Sequence, residues 1–145
     1  MEKRAQAAME FLMTYGWAIL AAIIAIGVLA YFGVFSPSNL VSDQYNLASP
    51  FSVIAGSLNT TDLTLDIRNG RGETVTIKTI SVPGCNTTNS FTTQIADGDH
   101  QVFTIACNPA LNSGDILRAD VTVTFNTTSS SVDQTTGGTI VARVR

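Results

Sequence analysis

Few side chains in this 145-residue chain are placed to do chemistry, and the most conspicuous is Glu10. It stands between a basic leader, Lys3-Arg4, and an uncharged run from Phe11 to Phe35. A carboxylate beside so long an apolar stretch is costly unless it stays at a lipid interface or meets a cation, which makes it a functional candidate. The bland alternative is a solvated acid at the start of a helix, where the macrodipole favours negative charge. Cys85 and Cys107 are the next candidates. Neither has a CxxC companion or a nearby His of the kind that holds a metal, so a disulfide leads, with two reduced buried thiols or one reactive thiol as the other readings. Asn59, Asn86 and Asn126 each open an Asn-Xaa-Thr glycosylation sequon, all on the carboxyl side of the apolar run, as expected of an exported domain.

Candidates for catalysis are thin. His100 is the only histidine, beside Asp99, and reads as a surface turn residue. No nucleophile sits in an elbow or glycine-rich context, and no phosphate loop or carboxylate pair stands out. Asp97-Gly98-Asp99 offers too few oxygens for a calcium loop and reads as a turn. The reading is of a non-enzyme with no cofactor and no metal site. A net charge of −3, with no basic cluster beyond Lys3-Arg4, argues against nucleic acid as a partner.

These residues need elements to position them, and the first is the apolar run. As a helix, at about 1.5 Å per residue, it is long enough to cross a bilayer core of about 30 Å. Lys3 and Arg4 on its near flank, with Arg68 the next basic residue, place the amino end in the cytoplasm and export the rest. Ala18, Ala21, Ala22 and Ala25 fit small-xxx-small spacing for close helix approach, with a plain anchor as the alternative. Ser36-Pro37 reads as a cap and first helical position, so that a kinked helix continues through Leu40, Val41, Gln44, Leu47 and Ala48. Leu40, Val41, Tyr45 and Leu47 would then lie against the globular part, with Ser49-Pro50 as the joint.

From Phe51 the apolar period becomes two. Leu63, Leu65 and Ile67 alternate with polar residues, and Asn69-Gly70 reads as the turn of a hairpin that resumes at Val75 and Ile77. A phase slip between Ile77 and Ile80 predicts a bulge. Further strands are expected over 51–55, 91–95, 101–106, 116–125 and 139–144, with Ser129-Ser130-Ser131 in a polar turn before the last. About seven strands with Gly, Asn, Asp and Ser turns argue for an antiparallel, Ig-like sandwich after the long helix, an α+β fold. A Cys85–Cys107 bridge would join two loops at one of its ends.

Lys3-Arg4-Ala5-Gln6-Ala7-Ala8-Met9-Glu10 followed by an apolar helix resembles the class III signal segment of archaeal type IV pilin-like precursors. In that family a membrane peptidase removes a short basic leader before a Gln and leaves a Glu fifth from the new amino end. The resemblance implies a cut between Ala5 and Gln6, with Glu10 fifth. Ala8 and Thr14 depart from the Ser third and Leu ninth often found after the cut. The implied organisation is a leader over 1–5, a helix over 6–49 that spans the membrane first and forms the filament core later, and an extracellular β-sandwich over 50–145. The implied function is the structural subunit of an extracellular pilus for adhesion or surface attachment, with Glu10 pairing the new ammonium of Gln6 on a neighbouring subunit. The resemblance also implies as partners further copies of the chain, a prepilin peptidase, an assembly ATPase and a membrane platform protein. The precursor would reside in the cytoplasmic membrane before export to the cell surface. An archaellin, a minor pilin, or a non-polymerising, membrane-anchored ligand-binding protein are the alternatives.

Overall fold

The computed structural model describes residues 2–36 and 41–145. The chain divides into two compact units, Met1–Leu40 and Val41–Arg145. The first is built on a single helix, α1 (Glu2–Tyr31). Ala, Leu and Met supply helix propensity, and no proline interrupts the run. It is about 45 Å long, more than a bilayer core requires. None of its residues is buried, so an apolar surface is exposed all round.

The helix ends earlier than the apolar run does. Gly33 takes a left-handed conformation with φ of 69°. Val34 N–H then donates to Leu29 O (3.2 Å) and Gly33 N–H to Ala30 O (3.0 Å). That pair of bonds is the Schellman stop, which satisfies carbonyls the last turn would otherwise leave unpaired. The expected kinked continuation to Ala48 is therefore corrected. Its Pro37 and Leu40 lie outside the described residues, but Gln44–Leu47 is a strand, β1.

The second unit contains β1 and seven longer strands: β2 (Phe51–Leu58), β3 (Asp62–Asn69), β4 (Val75–Val82), β5 (Asn86–Ile95), β6 (His100–Ala106), β7 (Ile116–Thr127) and β8 (Ser130–Arg143). They form two antiparallel sheets, ordered β1-β8-β7-β4-β5 and β2-β3-β6. The adjacencies 2-3-6 and 5-4-7-8, with crossovers between sheets, are those of an Ig-like sandwich. Leu63, Leu65, Ile67 and Ile105 of the smaller sheet and Val75, Ile77, Ile80, Val121 and Val123 of the larger are fully buried. Two edge-on aromatic pairs bridge the sheets, Phe51 with Phe125 (centroids 4.8 Å apart) and Phe91 with Phe103 (5.1 Å).

The expected hairpin across Asn69-Gly70 is also corrected. β3 pairs with β2 and β6, whereas β4 pairs with β5 and β7. Alternation fixes which side chains face the core, but two strands of one hairpin and two strands facing each other across the core have the same alternation. The bulge between Ile77 and Ile80 is present as a register shift at Ile77/Thr79 against both neighbours of β4. β8 begins at Ser130, so the expected Ser129-Ser130-Ser131 turn shrinks to Thr128-Ser129.

β1 is a strand because of what lies beside it. Its residues 44–47 pair with 141–138 of β8 and so satisfy that strand's outer backbone groups. Tyr45 and Leu47 point inward and pack on the core as expected, from a strand rather than a helix. Tyr45 lies flat against Gly56, where an added Cβ would stand 2.6 Å from the ring. Asp43 accepts from Arg143 N–H (2.9 Å) and from the Arg145 guanidinium (3.0 Å), fastening the start of β1 to the carboxyl terminus. Burial, and then the Asp43 carboxylate, push the Tyr45 phenol above its ordinary pKa.

Candidate functional site

Ala5, Gln6 and Glu10 all lie in α1 and all are exposed. Gln6 and Glu10 are four residues apart, one helical turn, and so share a face about 6 Å apart along the axis. Helical side chains lean toward the amino end, which aims the Glu10 carboxylate at the Gln6 turn. Glu10 is the only charged residue of α1 beyond Arg4. Ala18, Ala21, Ala22 and Ala25 occupy an arc of about 100° around the helix, and Glu10 stands about 20° from Ala21, so carboxylate and small residues form one stripe. Gly16 and Gly27 leave open space beside the helix. The rings of Phe11 and Tyr15, one turn apart, lie 4.8 Å from each other, tilted by 41°.

Cys85 and Cys107 are bonded to each other as a disulfide. It joins the turn after β4 to the segment after β6, at the end of the sandwich that also holds the β2–β3 turn. Cys107 N–H donates to Thr61 O (2.6 Å), Leu111 N–H to Thr60 O (2.7 Å) and Asn108 N–H to Cys85 O (2.9 Å). A shallow polar depression beside the bridge is lined by Gly84, Asn86, Thr88, Asn108 and Pro109.

The three sequon asparagines occupy different surroundings. Asn59 is exposed in the β2–β3 turn, Asn86 opens β5, and Asn126 is half-buried within β7 between β4 and β8. His100 is the first residue of β6 rather than a turn residue, exposed, with Nδ1 2.8 Å from Asp66 Oδ1. Asp97-Gly98-Asp99 is a turn, with Gly98 at φ 78° and Asp97 accepting from Gly72 N–H (2.8 Å). Among the described residues no three His, Cys, Asp or Glu converge as a metal site would require.

Sequence reasoning missed Asn69, which it used only as half of a turn. The residue is fully buried. Its Nδ2 donates to Glu73 O (2.8 Å) and Ile95 O (3.0 Å), and its Oδ1 accepts from Arg71 N–H (3.0 Å). Its backbone joins the β5–β6 turn through Asp99 O and Gly98 N–H. A β-strand pattern ending on Asn rather than an apolar residue was the available signal. No protein-family model matches the chain, and no curated protein matches it.

Proposed function

We propose that the chain is the structural subunit of an extracellular type IV pilus-like filament that serves adhesion or surface attachment. It is made as a membrane precursor with its amino end in the cytoplasm, cut between Ala5 and Gln6, and polymerised through α1. The prepilin peptidase, assembly ATPase and membrane platform protein are the partners this reading requires. The observation that carries it is α1 itself: 30 residues, none of them buried, with Glu10 set in the small-residue stripe. An all-round apolar helix must be covered by lipid or by protein. Lipid covers it in the precursor, and copies of α1 cover it in the filament, where small residues allow close approach.

Glu10 then leaves the lipid interface for a helical core. An unpaired charge there costs several kcal/mol, and the ammonium created at Gln6 supplies the cation. The test is to shear intact cells, image the supernatant and read the amino terminus of its fibre by mass spectrometry. A regular fibre of chains beginning at Gln6 is expected, and Glu10→Gln should lower its yield tenfold or more while the precursor still inserts. Undiminished fibre from Glu10→Gln refutes the pairing. Recovery of the chain only as a detergent-extracted monomer refutes the filament.

A further inference from the structure

We propose that N-linked glycosylation of this chain is confined to Asn59, one of its three sequons. The proposal rests on the export of the β-sandwich. Transfer to an asparagine forms a bond from the anomeric carbon of a sugar to Nδ2 and breaks that carbon's bond to the phosphate of a lipid-linked glycosyl phosphate donor. The amide proton leaves with the released phosphate. The acceptor must therefore present an Nδ2 that is accessible and not already committed as a donor, with the hydroxyl two residues on also within reach.

Asn86 fails the second condition. Its Nδ2 hydrogens are both used, one to Ala106 O (3.0 Å) and one to Asn89 Oδ1 (3.2 Å). Its Oδ1 accepts from Thr88 N–H (3.0 Å) and Thr88 Oγ1 (3.2 Å), so the sequon hydroxyl is folded back onto the asparagine it would help to present. A sugar on Nδ2 would displace one of these partners at the disulfide end. Asn126 fails the first condition. It is half-buried in β7, paired with Thr76 of β4 and flanked on the other side by β8. The next residue, Thr127, is buried, and its Oγ1 bonds Ser129 Oγ (3.1 Å) and Ser130 N–H (3.1 Å). A transferase cannot draw this segment out without unzipping the centre of a sheet.

Asn59 meets both conditions. It and Thr61 are exposed on the β2–β3 turn, and among the described residues the Asn59 side chain makes no hydrogen bond. Thr61 Oγ1 donates only to the surface carboxylate of Asp62 (2.8 Å), a bond that water can replace. The turn's backbone is held from below, by Asn59 N–H to Asp62 O (2.8 Å) and by the bonds from Cys107 and Leu111. A glycan there leaves every internal bond in place, as exposed loop tips generally permit.

The test is glycopeptide mass spectrometry on the full chain recovered from the cells that make it. A glycan on the Asn59 peptide alone is expected, lost in Asn59→Gln and Thr61→Ala, retained in Thr61→Ser, and unaffected by Asn86→Gln or Asn126→Gln. A glycan on Asn86 or Asn126, or bare asparagine at all three, overturns the proposal. Protease added to intact cells separates the two failures. If the sandwich is degraded outside while Asn59 is bare, only the glycan falls. If it is degraded only after lysis, the export reading falls with it.

Discussion

Asn69 ties the two sheets together at the end opposite the disulfide, and replacing it by alanine should cost about 3 kcal/mol. The largest part is at Ile95 O, whose residue is 2% exposed. A buried carbonyl left without its donor costs about 1–3 kcal/mol. The bonds to Glu73 O and from Arg71 N–H lie nearer the surface, where losing each costs about 0.5–1 kcal/mol. For a domain of this size about 3 kcal/mol lowers the melting temperature by roughly 12 °C or more. Thermal unfolding of the full chain in detergent, followed by the β-sheet amide I band in the infrared, reads the sandwich apart from the helical band of α1. A fall of less than about 3 °C refutes the reasoning. Asn69→Asp sharpens the test, because an ionised carboxylate turns acceptors toward two carbonyls and has no donor to offer. Burial raises the folded pKa of such an acid, so its penalty should be largest at neutral pH and shrink as the pH falls and a donor returns. An aspartate variant no worse than alanine, with no such pH dependence, contradicts the donor role of Nδ2.

Three further perturbations probe other parts of the sandwich. Replacing Cys85 and Cys107 together by alanine opens a loop with a sequence separation of 22 and should remove about 3 kcal/mol, read as a lower denaturant midpoint; an unchanged midpoint contradicts it. The Glu73 carboxyl is held below its ordinary pKa by the hydrogen bond from Ser129 Oγ (2.6 Å), then by Arg71, so its contribution is present above the unfolded carboxylate pKa and lost as the pH falls through the lower folded value. Ser129→Ala should shallow that acid limb of the stability profile, and an identical limb refutes the assignment. Gly138→Ala puts a Cβ into Asn46 O and 2.7 Å from a Leu47 methyl, so β1 should lift off β8 and the amides of Gln44–Leu47 exchange faster, whereas Gly137→Ala, 3.8 Å from Val121 O, should leave them protected.

What the sequence made legible was whatever depends on one segment at a time. Leu117, Ala119, Val121, Val123 and Phe125 alternate, and all five face the core of β7. The slip between Ile77 and Ile80 is a bulge because one extra residue must be accommodated wherever the strand pairs. What the sequence left open depends on a second segment. Residues 41–48 satisfy a helical spacing and a strand alternation equally, and the outer edge of β8 decides between them. The polar start of β8, Ser130 to Gln134, carries no apolar alternation and is a strand because β7 lies alongside it. Gly33 is the exception, since a glycine just past the last helical turn was a local stop signal passed over in favour of Pro37.

The same division applies to the amino-terminal site. Gln6 and Glu10 are legible as a pair because helical geometry alone sets them one turn apart. That spacing bears on how the proposed filament works. On that proposal each cleaved subunit would carry its new ammonium about 6 Å along the axis from its own carboxylate, whose side chain leans toward it. Neutralisation within one subunit therefore competes with pairing between subunits, and charge alone does not fix the axial register. On that proposal register would come from shape, because a bulky neighbour fits the arc of Ala18, Ala21, Ala22 and Ala25 at few offsets. Glu10, 20° or so from Ala21, joins that arc at its amino end. On the proposed reading the carboxylate governs whether α1 leaves the lipid, and the alanines govern where it comes to rest.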